Sequence, residues 1–186
     1  MKLVLGLDVS TSVTGVCVVD SDVAPDDSGS HIAYLDRIEF KGCKTFFEKA
    51  DAVRSALVGL CEDRGWKPEI FALEEPLLGF QKGMSSAATI TTLMRFNGIV
   101  SYIGRDVFGV DPVYISSAHA RKVCGIKMQR TKVAGMSGKE QVFKHMSEHD
   151  LKHVAWPAKK NGSAVDWSRD ATDAYVIARA ACLVNK

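Results

Sequence analysis

The sequence lacks the features of membrane-spanning, secreted and disulfide-rich proteins. No apolar run reaches about 18 residues, so we expect no membrane span. Asp8 interrupts the apolar start Met1–Leu7 too early for a secretory signal. The five cysteines are odd in number and show no Cys-x-x-Cys spacing. These absences favour a reduced, cytoplasmic setting.

The charge is almost balanced over the whole chain but uneven along it. The 186 residues are 46% hydrophobic and 25% charged, and this length and composition predict one globular domain over residues 1–186. Between His119 and Lys160, ten Lys and Arg residues accompany only three Asp and Glu residues. Such a basic lobe indicates a polyanionic partner, although lysine-rich surface helices have a similar composition. Its glycine-punctuated part, residues 125–138, is predicted to be a basic mobile loop.

The start of the chain reads as a β-hairpin in a buried sheet. Leu3–Leu7 and Val16–Val19 are apolar and flank a turn of Ser, Thr and Gly. Asp8 lies where the first run ends, and a buried carboxylate costs several kcal/mol unless it is paired or binds a metal. Either Asp8 caps the turn at Ser10–Thr14, or it is a metal ligand at the centre of a sheet. The second interpretation requires another carboxylate beside it.

The remaining pattern predicts an α/β fold. His31–Phe40 alternates as a third antiparallel strand, and Thr45–Gly65 has helical spacing. A strand at Glu69–Glu75 would lie parallel to the first because a helix crosses over between them, and Val113–Ile115 is a short fifth strand. We therefore predict a five-stranded mixed sheet, three antiparallel strands followed by parallel strands, flanked by helices.

Acidic residues are predicted to converge at one end of this sheet. Glu74 comes at the same end as Asp8, although strand phase does not choose between Glu74 and Glu75. Asp170 and Asp173, three apart in a final helix, share one face with its apolar stripe. Acids in a first turn also complement the helix dipole, which is the alternative explanation.

A cluster of four carboxylates without His or Cys selects Mg²⁺ or Mn²⁺. Such a cluster would repel itself unless divalent ions offset its charge. Two ions about 4 Å apart can activate a water and stabilise a leaving oxygen in phosphoryl displacement. The basic lobe would then hold phosphates beside the site.

Three segments carry a family resemblance, in the same order along the chain. Gly6–Gly15, Phe71–Glu75 and Asp170–Ala178 resemble the motifs of RuvC-type Holliday-junction resolvases, which belong to the ribonuclease H-like superfamily. The stretches Pro112–Val123 and Gly138–Met146 also resemble that family. The glycine-rich basic insertion is more similar to phage-type members.

The resemblance implies a function for the acids. Resolvases of this family are homodimers that bind four-way DNA junctions and make paired nicks leaving 5′-phosphate and 3′-hydroxyl ends. It implies that Asp8, Glu74, Asp170 and Asp173 bind two Mg²⁺ ions, with Mn²⁺ as a substitute, and that Lys139 lies near the scissile phosphate. The setting would be DNA recombination and repair, or phage DNA processing, in the cytoplasm of a bacterial or phage-infected cell. No small-molecule substrate is expected.

The resemblance also implies DNA contacts, with two departures. The family usually has an aromatic residue where this chain has Leu77, so Phe80 is predicted to replace it. Cys124 takes the position of a second lysine, for which Lys127 would substitute. The predicted DNA-binding residues are Phe80, Lys82, Arg121, Lys122, Lys127, Arg130 and Lys132.

The family's partner contact often uses the long helix after the fourth strand. The corresponding segment here, Ser85–Phe108, is mostly apolar, with Gly98 and Gly104 permitting close packing. Its apolar residues exceed one stripe, so it either forms a dimer contact or is buried within its own domain.

Other functions account for some of these features. The opening hairpin also resembles that of actin-like ATPases and sugar kinases, but these proteins repeat the unit and need roughly twice this length. A non-catalytic junction-binding module, or a nuclease for other branched DNA or RNA–DNA hybrids, would share the fold.

Two aromatic groups also have alternative interpretations. His145, His149 and His153 suggest zinc, but no further ligand is spaced to complete that site. Trp156 and Trp167 are either core anchors or base-stacking platforms.

Overall fold

The computed structural model describes residues 1–26, 28–76 and 86–184. The elements in chain order are β1 (Leu3–Asp8), β2 (Val13–Asp20), β3 (Ile32–Glu39), α1 (Phe46–Glu62), β4 (Ile70–Glu74), α2 (Ala87–Phe108), β5 (Pro112–Ile115), α3 (Ser117–Val123), α4 (Thr131–Ala134), α5 (Gly138–Glu148) and α6 (Trp167–Val184). None of the helices in the described ranges combines the length and apolar character needed to cross a membrane.

The strands form one sheet in the order β3-β2-β1-β4-β5. β1 pairs antiparallel with β2, and β2 pairs antiparallel with β3. β4 pairs parallel with both β1 and β5. The predicted mixed sheet, antiparallel strands followed by parallel ones, is confirmed.

Alternation along β1 assigns its side chains to two different cores. Leu3, Leu5 and Leu7 pack with residues of α1 and α2 on one face of the sheet. Val4 belongs to the opposite core, which is built with α3, α5 and α6. Because side chains alternate along a strand, Gly6 and Asp8 lie on the same face as Val4. Asp8 is therefore directed to the side covered by α6.

Two glycines allow α6 to lie directly on the first two strands. A Cβ atom at Gly6 would lie 2.5 Å from the carbonyl oxygen of Ala174, and one at Gly15 would overlap the backbone carbonyl of Asp170. Any larger residue at these positions would push the helix away from the sheet. The first turns of α6 are thus held against the end of β1.

The helix α2 begins after its cap, Ser86, whose side chain accepts a hydrogen bond from the Thr89 backbone. Gly104 packs against the Phe71 ring, as predicted, since a Cβ there would overlap it. Gly98 is exposed, and none of the described atoms lies within 4 Å of a Cβ placed there, so close packing of Gly98 against a partner chain stays a prediction.

Residues 125–138 contain more regular structure than a loop. Thr131–Ala134 form the single helical turn α4. The Gln141 side chain of α5 accepts a hydrogen bond from the Gln129 amide at 2.8 Å and donates one to the Gln129 carbonyl at 3.0 Å. The segment is therefore tied to α5 near its middle, and its mobility stays a prediction.

Candidate active site

The ends of β1 and β4 bring two predicted acids to one face of the sheet. The parallel register pairs Gly6 with Ala72, so Asp8 and Glu74 follow at the same level two residues later. Glu74 raises the pKa of Asp8 both by its charge and by a side-chain hydrogen bond. Glu75 lies beyond the strand and is exposed. The geometry thus selects Glu74 as the partner of Asp8.

The helix α6 supplies the other two acids. Asp173 is 7% exposed, whereas the side chain of Asp170, one turn earlier, is 22% exposed. The charge of Asp8 contributes to raising the pKa of Asp173, so these carboxyl groups are near neighbours. The structure thus brings Asp8, Asp170 and Asp173 around Lys139 and places Glu74 beside Asp8; their joint role as a metal site stays a prediction.

Lys139 lies at the centre of this acidic group. Its Nζ is 2.9 Å from Asp8 Oδ2, 2.7 Å from Asp170 Oδ1 and 3.4 Å from Asp173 Oδ2. The lysine comes from the first turn of α5, which begins with a capping box between Ser137 and Glu140. This cap determines where α5 starts, and hence where Lys139 is presented.

Burial dominates the electrostatics of the two inner carboxyl groups. Desolvation raises the pKa of Asp8 to about 7, against the opposing attraction of Lys139. Desolvation, together with the charge of Asp8, raises the pKa of Asp173 to about 7. In return, the neighbouring carboxylates raise the pKa of Lys139, although its own burial opposes this. Within the described ranges, Lys139 is the cation that forms ion pairs with Asp8, Asp170 and Asp173.

The donor types fit a hard divalent cation. Asp8, Glu74, Asp170 and Asp173 offer only carboxylate oxygens, which is the chemistry of Mg²⁺ and Mn²⁺ sites. Among the described residues, no three Asp, Glu, His or Cys side chains already form a metal-binding arrangement. A cation entering here would compete with the Lys139 ammonium for the same oxygens.

Two supporting polar residues were not predicted from the sequence. Ser117, the first residue of α3, donates its hydroxyl hydrogen bond to the Glu74 carboxylate. Asn97 of α2 is buried and donates from Nδ2 to the Glu74 backbone carbonyl at 3.1 Å. Asn97 could have been noticed in the sequence because it is a polar residue within the apolar pattern of α2. Ser117 has no distinctive sequence signal.

The predicted DNA-binding residues fall into three groups. Arg121, Lys122 and Lys127 line one cavity. Arg130 and Lys132 are exposed on the segment 125–138. Phe80 and Lys82, like Leu77, lie outside the described residues. Of these seven residues, Arg121 also lines a small cleft with Glu74 and Asp173, which places it beside the acidic group.

Two of the three histidines considered for zinc, and both tryptophans considered for base stacking, pack against neighbouring rings. The rings of His145 and His149 stack at 4.2 Å, and His149 Nδ1 hydrogen-bonds the His145 carbonyl. Trp156 and Trp167 meet edge to face at 6.0 Å, with the Arg37 guanidinium 4.1 Å from the Trp167 ring centroid. These contacts favour the packing interpretation for both tryptophans.

Comparison with known proteins identifies the fold. No protein-family model and no curated protein matches the sequence. Thermus thermophilus RuvC in complex with a Holliday junction substrate superposes with a TM-score of 0.64 and 14% identity, covering 100% of this chain and 96% of that one. A second Thermus thermophilus RuvC structure superposes with a TM-score of 0.60 and 16% identity, covering 98% of this chain and 95% of that one. The yeast mitochondrial Holliday junction resolvase Ydc2 superposes with a TM-score of 0.51 and 16% identity, covering 99% of this chain and 81% of that one. The chain therefore has the ribonuclease H-like fold of RuvC-type Holliday-junction resolvases.

Proposed function

We propose that this protein is a metal-dependent endonuclease that resolves four-way DNA junctions. It would make paired nicks that leave 5′-phosphate and 3′-hydroxyl ends, in DNA recombination and repair or in phage DNA processing. The observation that carries the proposal is the convergence of Asp8, Asp170 and Asp173 around Lys139, with Glu74 beside Asp8 and Arg121 of a basic cavity nearby, on a RuvC-like fold.

The four acids are the proposed ligands of two Mg²⁺ or Mn²⁺ ions. When bound, such ions supply an activated water and stabilise the charge on the leaving oxygen. The buried carboxyl groups of Asp8 and Asp173 favour cation binding, because ionising them without a cation is costly, as their raised pKa values indicate. The Ser117 and Asn97 hydrogen bonds would hold Glu74 in position for the same purpose.

Lys139 has a different proposed role from the acids. Its ammonium offsets part of the negative charge of the cluster in the absence of a divalent ion. With the ions in place, it would be released from these contacts and attract the phosphate to be cut. The cations of α3 and of residues 125–138 would hold the neighbouring phosphates, the predicted contacts being Arg121, Lys122, Lys127, Arg130 and Lys132.

Paired nicks require two active sites, and we propose a homodimer to supply them. The inner side of α2 is buried in its own core, with Phe96, Val100 and Ile103 below 5% exposed. Its other side leaves Met94 40% and Tyr102 64% exposed. The helix thus contributes to its own core and retains apolar surface for a partner chain, so both interpretations of the sequence find support.

The test is the cleavage of a labelled four-way junction beside a matched linear duplex, in Mg²⁺, Mn²⁺ or EDTA. We expect symmetric, metal-dependent nicks in the junction only, which Asp8→Asn abolishes while junction binding persists. Asp111→Asn is the matched control, since Asp111 is 82% exposed and pairs with Arg105 away from the acidic group.

Other outcomes of this experiment would contradict the proposal in distinguishable ways. Equal cutting of forks, flaps and junctions would indicate a general branched-DNA nuclease. Cutting of an RNA–DNA hybrid in preference to the junction would indicate a hybrid nuclease. Tight junction binding without cutting in either metal would indicate a non-catalytic module.

A further inference from the structure

A cavity of about 570 Å³ lies between α3 and the residues that follow it. Its volume falls in the range of typical ligand pockets. Its lining side chains combine three cations with apolar groups: Arg121, Lys122 and Lys127, and Ala118, Ile126 and Met128. We call this cavity the α3 pocket. A nucleotide has the complementary chemistry, since it carries a phosphate and a flat, largely apolar base.

The end of α3 gives the α3 pocket a defined shape. Gly125 adopts a left-handed conformation, with φ of 74°, and donates to the Lys122 carbonyl at 3.1 Å. The next amide, of Ile126, donates to the Arg121 carbonyl at 2.9 Å. This pair of bonds is a Schellman motif, which reverses the chain direction at the helix end. Because Ile126 is buried in the core, Lys127 and Met128 are held beside α3.

Arg121 connects the α3 pocket to the acidic group. It also lines the small cleft that contains Glu74, Ser117 and Asp173. Its charge opposes the rise in the pKa of Asp173, which places the guanidinium within electrostatic reach of that carboxyl group. A DNA strand with one phosphate at the acids would therefore pass Arg121 and reach the α3 pocket within the next nucleotides.

We propose that the α3 pocket binds an unstacked nucleotide next to the scissile phosphate, with its base against Ala118 and Met128 and its phosphate on the cations. This inference rests on the proposed function and extends it to the source of branch selectivity. Extracting a base costs a few kcal/mol in a continuous duplex and least where the base is already unpaired. A site that requires an unstacked base thus favours the branch point over the duplex arms.

The test uses junctions with 2-aminopurine at single positions within two nucleotides of the mapped nick. The fluorescence of this base rises when it leaves the stack, and it is read in EDTA, so that no cleavage occurs. Ala118→Phe fills the pocket from an exposed position on α3, and Met128→Ser removes an apolar wall that is 37% exposed. Ala155→Phe, at an exposed position outside the pocket, is the control.

We expect wild type and Ala155→Phe to raise the fluorescence at one position, and both pocket variants to lose that rise. Junction affinity in the pocket variants should fall about fivefold or more, in line with the loss of one base contact. If junctions are bound and nicked but the pocket variants keep the full rise, the pocket proposal is overturned and the nuclease stands. If wild type neither binds nor nicks junctions, the proposed function fails and the pocket proposal with it.

Discussion

Replacing Asp8 by Asn should make the metal-free protein more stable at neutral pH. The structure buries this carboxyl group to 5% exposure and raises its pKa from 3.8 to about 7. A shift of roughly three units at about 1.4 kcal/mol each corresponds to a penalty of about 4 kcal/mol when the group is ionised. Asn has nearly the same shape without the charge. Asp170 and Asp173 remain in the variant to pair with Lys139.

The direction in which pH changes the free energy of unfolding follows from the number of protons that the folded and unfolded states bind. Between pH 4 and 7 the folded protein keeps the Asp8 proton while the unfolded chain has released it. The free energy of unfolding therefore falls as the pH rises through this range, by up to about 1.4 kcal/mol per pH unit. Asp173 acts in the same direction, but it is present in both proteins, and without the Asp8 charge its own shift is smaller.

Urea unfolding in EDTA at pH 5 and pH 8 measures this effect. The stability of Asp8→Asn relative to wild type should be about 2–3 kcal/mol greater at pH 8 than at pH 5. The exposed control Asp111→Asn should change stability by less than about 1 kcal/mol. A relative stability of Asp8→Asn that does not depend on pH, or a wild type that gains stability as the pH rises, would refute the buried-carboxyl reasoning.

Four further substitutions test the architecture of the site and of the helices that support it. Lys139→Ala should slow junction cleavage about a hundredfold while changing junction affinity much less; an unchanged single-turnover rate would remove Lys139 from the site. Gly104→Ala should lower the free energy of unfolding by about 1–3 kcal/mol because its methyl group meets the Phe71 ring. Gly98→Ala, exposed in the same helix, should instead stabilise by up to about 1 kcal/mol, and equal melting shifts of both would contradict the packing. Gly15→Ala should displace α6 and weaken Mn²⁺ binding in calorimetry; a folded variant with wild-type Mn²⁺ affinity would show that this close approach is dispensable.

Much of the fold could be predicted from periodicity. Apolar alternation in Leu3–Leu7 and three- to four-residue spacing in the helices reflect burial on one or two faces, which is a local property of the chain. The helix α1, Phe46–Glu62, lies within a few residues of the segment Thr45–Gly65 predicted from its spacing. The turn α4 was not predicted, because a single exposed, basic turn has no buried face and hence no apolar period.

The sequence by itself determined which acids were available and at which element ends they lie. Only the tertiary structure decided how they meet, because their contacts join residues far apart in the chain. Asp8 and Lys139, which lie 131 positions apart, form an ion pair that no local pattern encodes. Glu74 ends β4 on the sheet face that α6 covers, whereas Glu75 lies beyond the strand and is exposed. The α3 pocket likewise exists because Ile126 is buried in a core shared with distant helices, which no spacing in the sequence specifies.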